Sequence, residues 1–210
     1  MSNLQNLLDE SRLISQKNIT HYDQNAISYD EGTQGHDVSQ NINALLRAIK
    51  TKPPFNILDF GCGLGRDLQT FTKLGHIATG LEGSQQAAQI ARTKSGCEVL
   101  LQDFFNLNLP ESVFDGIFAN ASLFHIPNSL LPKVLSNLWT CLKPNGILFS
   151  SNPRGNNEES WYGDRFGSYH DLEGWRSFMT NAKFTELEHY YRPSGLPFEQ
   201  QHWLASVWRK

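Results

Sequence analysis

Three glycines at alternate positions, Gly61, Gly63 and Gly65, break the run LDFGCGLGRDL. They follow the apolar segment FNILDF (55–60) and lead into Leu64, Leu68 and Phe71 at helical spacing, so they occupy a strand-to-helix turn. Without side chains, such a turn lets a ligand approach the main chain closely. Asp59, just before the glycines, would repel a pyrophosphate but can accept hydrogen bonds from an ammonium group. Glu82 ends the segment IATGLE and precedes Gly83. It stands about 20 residues after the first glycine, where one carboxylate can accept from two ribose hydroxyls. Asp103 ends EVLLQD (98–103) and suits an adenine amino group, with Phe104 as its apolar neighbour. One acid at a strand end is often only a cap. Acids at three consecutive strand ends point to a nucleoside-like ligand. A nicotinamide site is disfavoured because Arg66 stands where G-x-G-x-x-G has its last glycine, and no GK[ST] follows to make a Walker loop.

The elements that must position these residues are legible in the apolar rhythm. FNILDF, IATGLE, EVLLQD, FDGIFAN (114–120) and GILFSS (146–151) read as strands. Between them, Ala87, Ala88 and Ala91, then Leu131, Val134, Leu135, Leu138 and Leu142, carry helical spacing. Strands alternating with helices predict an α/β, Rossmann-like, doubly wound and mostly parallel sheet with helices on both faces. Leu172, Trp175, Phe178 and Met179 then predict a helix. Two late strands follow, near 184–192 and 202–210, which can pair antiparallel. Upstream, Leu4, Leu7 and Leu8 give a short helical stripe and Val38 to Ile49 a longer one, with a polar stretch between them. The expected division is an N-terminal helical cap or lid over 1–52 and the ligand-binding domain over 53–210, compact as a whole.

The DFGCGLG loop, Glu82, the QDF segment, FDGIFANASLFHI and LKPNGILF together resemble the class I S-adenosylmethionine-dependent methyltransferases, over roughly residues 20 to 210. The resemblance implies a seven-stranded sheet whose last strand inserts antiparallel beside the sixth, with S-adenosylmethionine as cofactor and S-adenosylhomocysteine as product. It implies that Asp59, Gly61, Gly63 and Gly65 contact the methionine moiety and ribose, that Glu82 with Gly83 meets the ribose hydroxyls, and that Asp103 with Phe104 meets the adenine. Asn120 would offer contacts to the cofactor's amino group. HYDQNAISYD (21–30) resembles the segment that often folds over the cofactor in small-molecule members, making Tyr22 and Tyr29 candidates for the methionine carboxylate or a lid.

The implied reaction is in-line transfer of a methyl group to a small-molecule acceptor. It needs positioning more than covalent catalysis. His125 in ASLFHIP sits where the resemblance puts the floor between cofactor and acceptor and could serve as a base. Acceptor recognition is expected from the cap and from 152–171, where Arg154, Trp161, Tyr162, Arg165, Tyr169 and His170 could shape a pocket for a polar acceptor with an acidic group, together with Arg192 in the late loop. The Asn-Pro of SNPR follows the fifth strand, not the fourth, so the nucleic-acid amino-methyltransferases are not indicated. A non-catalytic cofactor-binding sensor or scaffold is the alternative, and a nicotinamide oxidoreductase a weaker one.

Length and composition agree with one globular unit: 210 residues, 19% charged and net charge −3. The charge gives no field to hold nucleic acid. No segment approaches the length of a bilayer span, and Cys62, Cys97 and Cys141 have no metal-site spacing. A cytoplasmic protein without metal is expected, either monomeric or homodimeric.

Overall fold

The computed structural model describes residues 2–33 and 35–210, and the side chains of 9–26 and 35–210. The side chains of Leu4, Leu7, Leu8 and Tyr29 are not among those described.

Five parallel strands form first along the chain: β1 (Asn56–Phe60), β2 (Ile77–Glu82), β3 (Glu98–Leu101), β4 (Phe114–Asn120) and β5 (Leu142–Pro153). Two late strands, β8 (Thr185–Arg192) and β9 (Trp203–Arg209), complete a seven-stranded sheet of order β3-β2-β1-β4-β5-β9-β8, in which β9 runs antiparallel to both its neighbours. This is the expected sheet. The order reverses between β1 and β4, so the carboxyl ends of these strands open a crevice, the usual ligand position in such sheets.

Both faces of the sheet are buried, which is why the strand segments are almost continuously apolar. Successive residues go to opposite faces. Leu58, Ile117, Leu148 and Trp208 pack into one core cluster, while Ile57, Phe118, Phe149 and Val207 pack into the other. The first cluster includes α5 (Leu131–Cys141) and α6 (Leu172–Asn181), the second α2 (Ser39–Ala48), α3 (Arg66–Lys73) and α4 (Gln85–Ser95).

Three local expectations need correction. The N-terminal region forms one long helix, α1 (Ser2–Thr33), where a short stripe and a polar stretch were expected. Among its described side chains, Ile14, Ser15, Asn18 and Ala26 are buried, and Ile19 and Tyr22 are half-buried. The spacing is helical, but half of the covered face is polar and therefore invisible to an apolar-stripe criterion. The second correction is β3, which ends at Leu101, so Asp103 lies beyond the strand. Third, strands occupy the 152–171 stretch, where none was expected: β5 continues to Pro153, and β6 (Glu158–Tyr162) pairs with β7 (Arg165–Tyr169) in a hairpin. Tyr162 pairs with Arg165 across a two-residue Gly163-Asp164 turn, with Gly163 at φ +60°. Gly-Asp between β-prone runs is a hairpin signature.

Candidate functional site

A cavity of about 660 Å³ lies over the carboxyl edge of the sheet, roofed by α1. Its first half stands on β1, β2 and β3. Gly61 has φ +77°, and a Cβ there would sit 2.6 Å from Ser122 Cβ and 3.2 Å from the Phe104 ring. The main-chain N–H groups of Gly61 and Cys62 both donate to Leu81 O, at 2.8 and 3.1 Å, which folds the loop back over the end of β2. Gly63 faces open space, and its N–H donates to Glu82 Oε2 at 3.0 Å. The other oxygen of Glu82 accepts from Gly83 N and Ser84 N, both at 2.9 Å. One carboxylate thus ties the glycine loop to the start of α4, with its remaining lone-pair capacity toward the cavity. Burial raises the Glu82 pKa against the opposing pull of these three amides.

Asp103 accepts from Phe105 N at 2.9 Å and from Ser15 Oγ of α1 at 2.6 Å. Phe104 stacks on Phe60, with ring centroids 4.4 Å apart. Asn120 closes this half; its Oδ1 accepts from Asn41 Nδ2 at 2.9 Å, and Asn41 Oδ1 accepts from the Tyr190 hydroxyl at 2.9 Å. Beyond Asn120 the chain turns through Ala121 at φ +62°, held by its N–H to Ser151 O at 2.8 Å. A non-glycine residue in this region costs about 1 kcal/mol or more and is most often found where a site requires the turn.

Tyr22 of α1 closes the cavity from above. Its hydroxyl lies 2.8 Å from His125 Nε2, and His125 Nδ1 lies 2.9 Å from Phe166 O on β7. A main-chain carbonyl only accepts, so Nδ1 carries the proton; Nε2 of the neutral ring then accepts from the Tyr22 hydroxyl. Burial lowers the His125 pKa to about 4. Asn18 fastens α1 to the same residue of the hairpin: its Oδ1 accepts from Phe166 N at 2.8 Å and its Nδ2 donates to Phe166 O at 3.4 Å.

The expected residues divide by position. Gly61, Gly63, Glu82, Gly83, Asp103 and Phe104 line the cavity, as do Asn120, Tyr22 and His125. Asp59 and Gly65 stand outside the lining. Asp59 is 2% exposed beneath the loop, with Oδ2 unpartnered and its pKa raised first by burial and then by Asp67. Gly65 begins α3, and a Cβ there would press on Ala91 at 3.1 Å, so it lets α3 and α4 pack. Of the acceptor candidates, Arg192 lines the cavity, whereas Arg154, Tyr162 and Tyr169 do not. The hairpin carries Tyr162 out to 73% exposure and Tyr169 against Phe124, and Arg154 packs over the Phe198 ring at 3.7 Å.

Sequence reasoning missed Ser15, Asn41, Asp67, Ser122 and Trp203, all in the lining. Asp67 was the findable one: it sits in the first turn of α3, directly after the glycine loop, where Arg66 binds it through Nε at 2.8 Å and Nη2 at 2.9 Å.

A family model described as a methyltransferase domain matches residues 58–150. That match spans less than half of the chain and holds the glycine loop, Glu82, Asp103 and His125. It is 29% identical over 125 residues to an uncharacterised methyltransferase of Geobacillus, covering 56% of this chain and 59% of that protein. It is 30% identical over 105 residues to the ubiquinone biosynthesis O-methyltransferase of Histophilus somni, covering 45% and 43%. The chain therefore spans less than two thirds of the length of these relatives. In fold it is similar to the 1,6-didemethyltoxoflavin-N1-methyltransferase of Burkholderia thailandensis, solved with 1,6-didemethyltoxoflavin and S-adenosylhomocysteine, with a TM-score of 0.73, 20% identity, and coverage of 96% of this chain and 89% of that one. Among the described residues, no helix is long and apolar enough to cross a membrane.

Proposed function

We propose that this chain is an S-adenosylmethionine-dependent methyltransferase acting on a small-molecule acceptor by in-line displacement. The observation that carries the reading is the Glu82 carboxylate at the end of β2, fastened to the glycine loop at 3.0 Å and facing the same cavity as Asp103 and Phe104. The residues present fit the cofactor. The loop leaves open space at Gly63, where a Cβ would meet nothing within 4 Å, and acids line the wall where an ammonium and two hydroxyls need acceptors. Relatives named as methyltransferases support the same reading.

When bound, the cofactor supplies a methyl group on a sulfonium that needs no covalent help from the protein. The chain's own work is then to bind, orient and exclude water, which in favourable cases lowers a barrier by about 7–11 kcal/mol. Glu82 accepts from the ribose hydroxyls and Asp103 from the adenine amino group. Asp67, in the lining directly after the glycine loop, favours an ammonium near Gly61. The α1 roof keeps water out, because Ser15 and Asn18 bind it to both sides of the cavity. His125 holds the Tyr22 hydroxyl toward the acceptor; an acceptor that must lose a proton passes it to the Tyr22 oxygen while the Tyr22 proton moves to Nε2. With a pKa of about 4, His125 serves this relay only transiently near neutral pH.

The test is incubation with methyl-labelled S-adenosylmethionine and a metabolite extract. A labelled small molecule is expected. Cofactor binding without any labelled product would favour a non-catalytic sensor or scaffold, and failure to bind the cofactor would remove the reading altogether.

A further inference from the structure

The cavity continues past Asn120 into a second half that lies over β5, β9 and β8, and its chemistry differs. Trp203 opens β9 and pairs with Pro153 on one side and Arg192 on the other. Directly opposed residues on neighbouring strands share a face of the sheet, so Arg192 and Trp203 present a guanidinium and an indole side by side, and both line the cavity.

The guanidinium is underused. Its Nη2 donates to the main-chain oxygen of Asp37 at 2.5 Å, its Nε is buried with no partner, and among the described residues no carboxylate pairs with it. The nearby Asp37 carboxylate, held below its ordinary pKa first by its Ser39 hydrogen bonds and also by the Arg192 charge, makes no ion pair with the guanidinium and accepts from Ser39 N at 2.8 Å. Other charges around the cavity are committed elsewhere. Asp67 is held by Arg66, Glu82 by three amides and Asp103 by Ser15. A partly buried cation with a free N–H edge in a cavity wall is poorly satisfied until an oxyanion meets it, and the planar fork matches a carboxylate in two parallel hydrogen bonds.

Resting on the methyl-transfer reading above, we propose that the acceptor is a carboxylate-bearing small molecule, anchored through its carboxylate by Arg192 with its carbon body against Trp203. Glu82 and Asp103, which suit the cofactor's hydroxyl and amino groups, lie in the other half; Asp37 also lines the Arg192 end but is engaged by Ser39, so the guanidinium is left to favour an acceptor anion there. The negative wall repels the acceptor's carboxylate, and the Arg192 end attracts it.

The experiment splits a metabolite extract by anion exchange at neutral pH and offers each fraction, with methyl-labelled cofactor, to the protein, to Arg192→Gln and to Arg192→Lys. Cofactor affinity is measured in parallel by calorimetric titration with S-adenosylhomocysteine. Label should appear in the anion-retained fraction, in a product that chemical amidation shows to hold a carboxyl group. Arg192→Gln should raise the acceptor KM at least about tenfold, the scale of a lost charged hydrogen-bond pair, while cofactor affinity stays within about threefold; Arg192→Lys, keeping charge without the fork, should fall between. A phosphate ester as the labelled product, label only in the unretained fraction, or an unchanged KM in Arg192→Gln would overturn the proposal while leaving methyl transfer standing. A large loss of cofactor affinity with unchanged KM would assign Arg192 to the methionine carboxylate and also overturn it. An absence of label from every fraction, with the cofactor bound, would remove turnover and the acceptor site together.

Discussion

Over β1, β2 and β3 the cavity wall is made by residues adjacent to strand ends, and main-chain amides do much of the holding: Glu82 alone accepts from Gly63, Gly83 and Ser84. Over β5, β9 and β8 the wall is made by side chains from distant segments, with Asn41 reaching Asn120 and Tyr190, and Arg192 standing beside Trp203. A ligand common to many proteins can be held by a turn and a strand end, whose geometry follows from the fold. A ligand particular to one protein needs side chains that the fold merely brings together.

Substitutions in the first half should therefore act on cofactor binding and stability together. The largest effect is expected from Gly61→Val. It places a branched Cβ at φ +77° and 2.6 Å from Ser122 Cβ, so cofactor affinity should fall by more than about 100-fold and stability by roughly 3 kcal/mol, read by calorimetric titration and urea unfolding. Glu82→Ala comes next. It leaves three amides without their acceptor and should lower stability by about 2–3 kcal/mol and affinity by about 30-fold or more in the same two measurements. If Glu82→Ala left both unchanged, the distinction between a main-chain half and a side-chain half would fail.

Substitutions at the junction should separate turnover from binding. Tyr22→Phe removes the hydroxyl that lies 2.8 Å from His125 Nε2. The turnover rate should drop by about ten- to 100-fold in a labelled-methyl assay, with cofactor affinity changed by no more than about threefold. Equal losses in both would make Tyr22 a cofactor contact.

The remaining effect concerns pH. Burial holds His125 at about 4, below its ordinary value of 6.5, so the unfolded chain binds a proton there before the folded protein does. His125 then contributes fully to stability above pH ~6.5, and its contribution falls as pH drops toward 4, by about 3 kcal/mol at most. The raised carboxyls of Asp59 and Glu82 act with the opposite sign, favouring the folded state in acid. The quantity to measure is accordingly the stability difference between the parent protein and His125→Asn. Urea unfolding from pH 7 to pH 4.5 should show the parent losing ground to the variant as pH falls; a pH-independent difference would mean that the ring is not held neutral.

The same contrast explains what was legible in the sequence. The parallel strands, the two late strands and the acid positions could be read because each depends on a local apolar run and the turn that follows it. Gly61, Gly63, Glu82 and Asp103, which line the cavity, were singled out this way. Asp59 and Gly65 belong to the same motif, but Asp59 lies beneath the loop and Gly65 lets α3 pack on α4, differences that depend on which atoms a turn covers. The α1 roof escaped notice because Ser15 and Asn18 are polar on the buried face. The hairpin carried a readable Gly163-Asp164 signal, yet its charged flanks resemble a loop. Arg192 was found among polar loop residues, but its neighbour Trp203 became meaningful only when the antiparallel register set the two side by side.

A crystal structure with S-adenosylhomocysteine bound tests most directly whether the β1–β3 half is the cofactor's seat. The ribose hydroxyls should lie within hydrogen-bond reach of Glu82, and the adenine beside Asp103 and Phe104. Density over Arg192 and Trp203 alone, or a ribose with no contact to Glu82, would contradict that assignment.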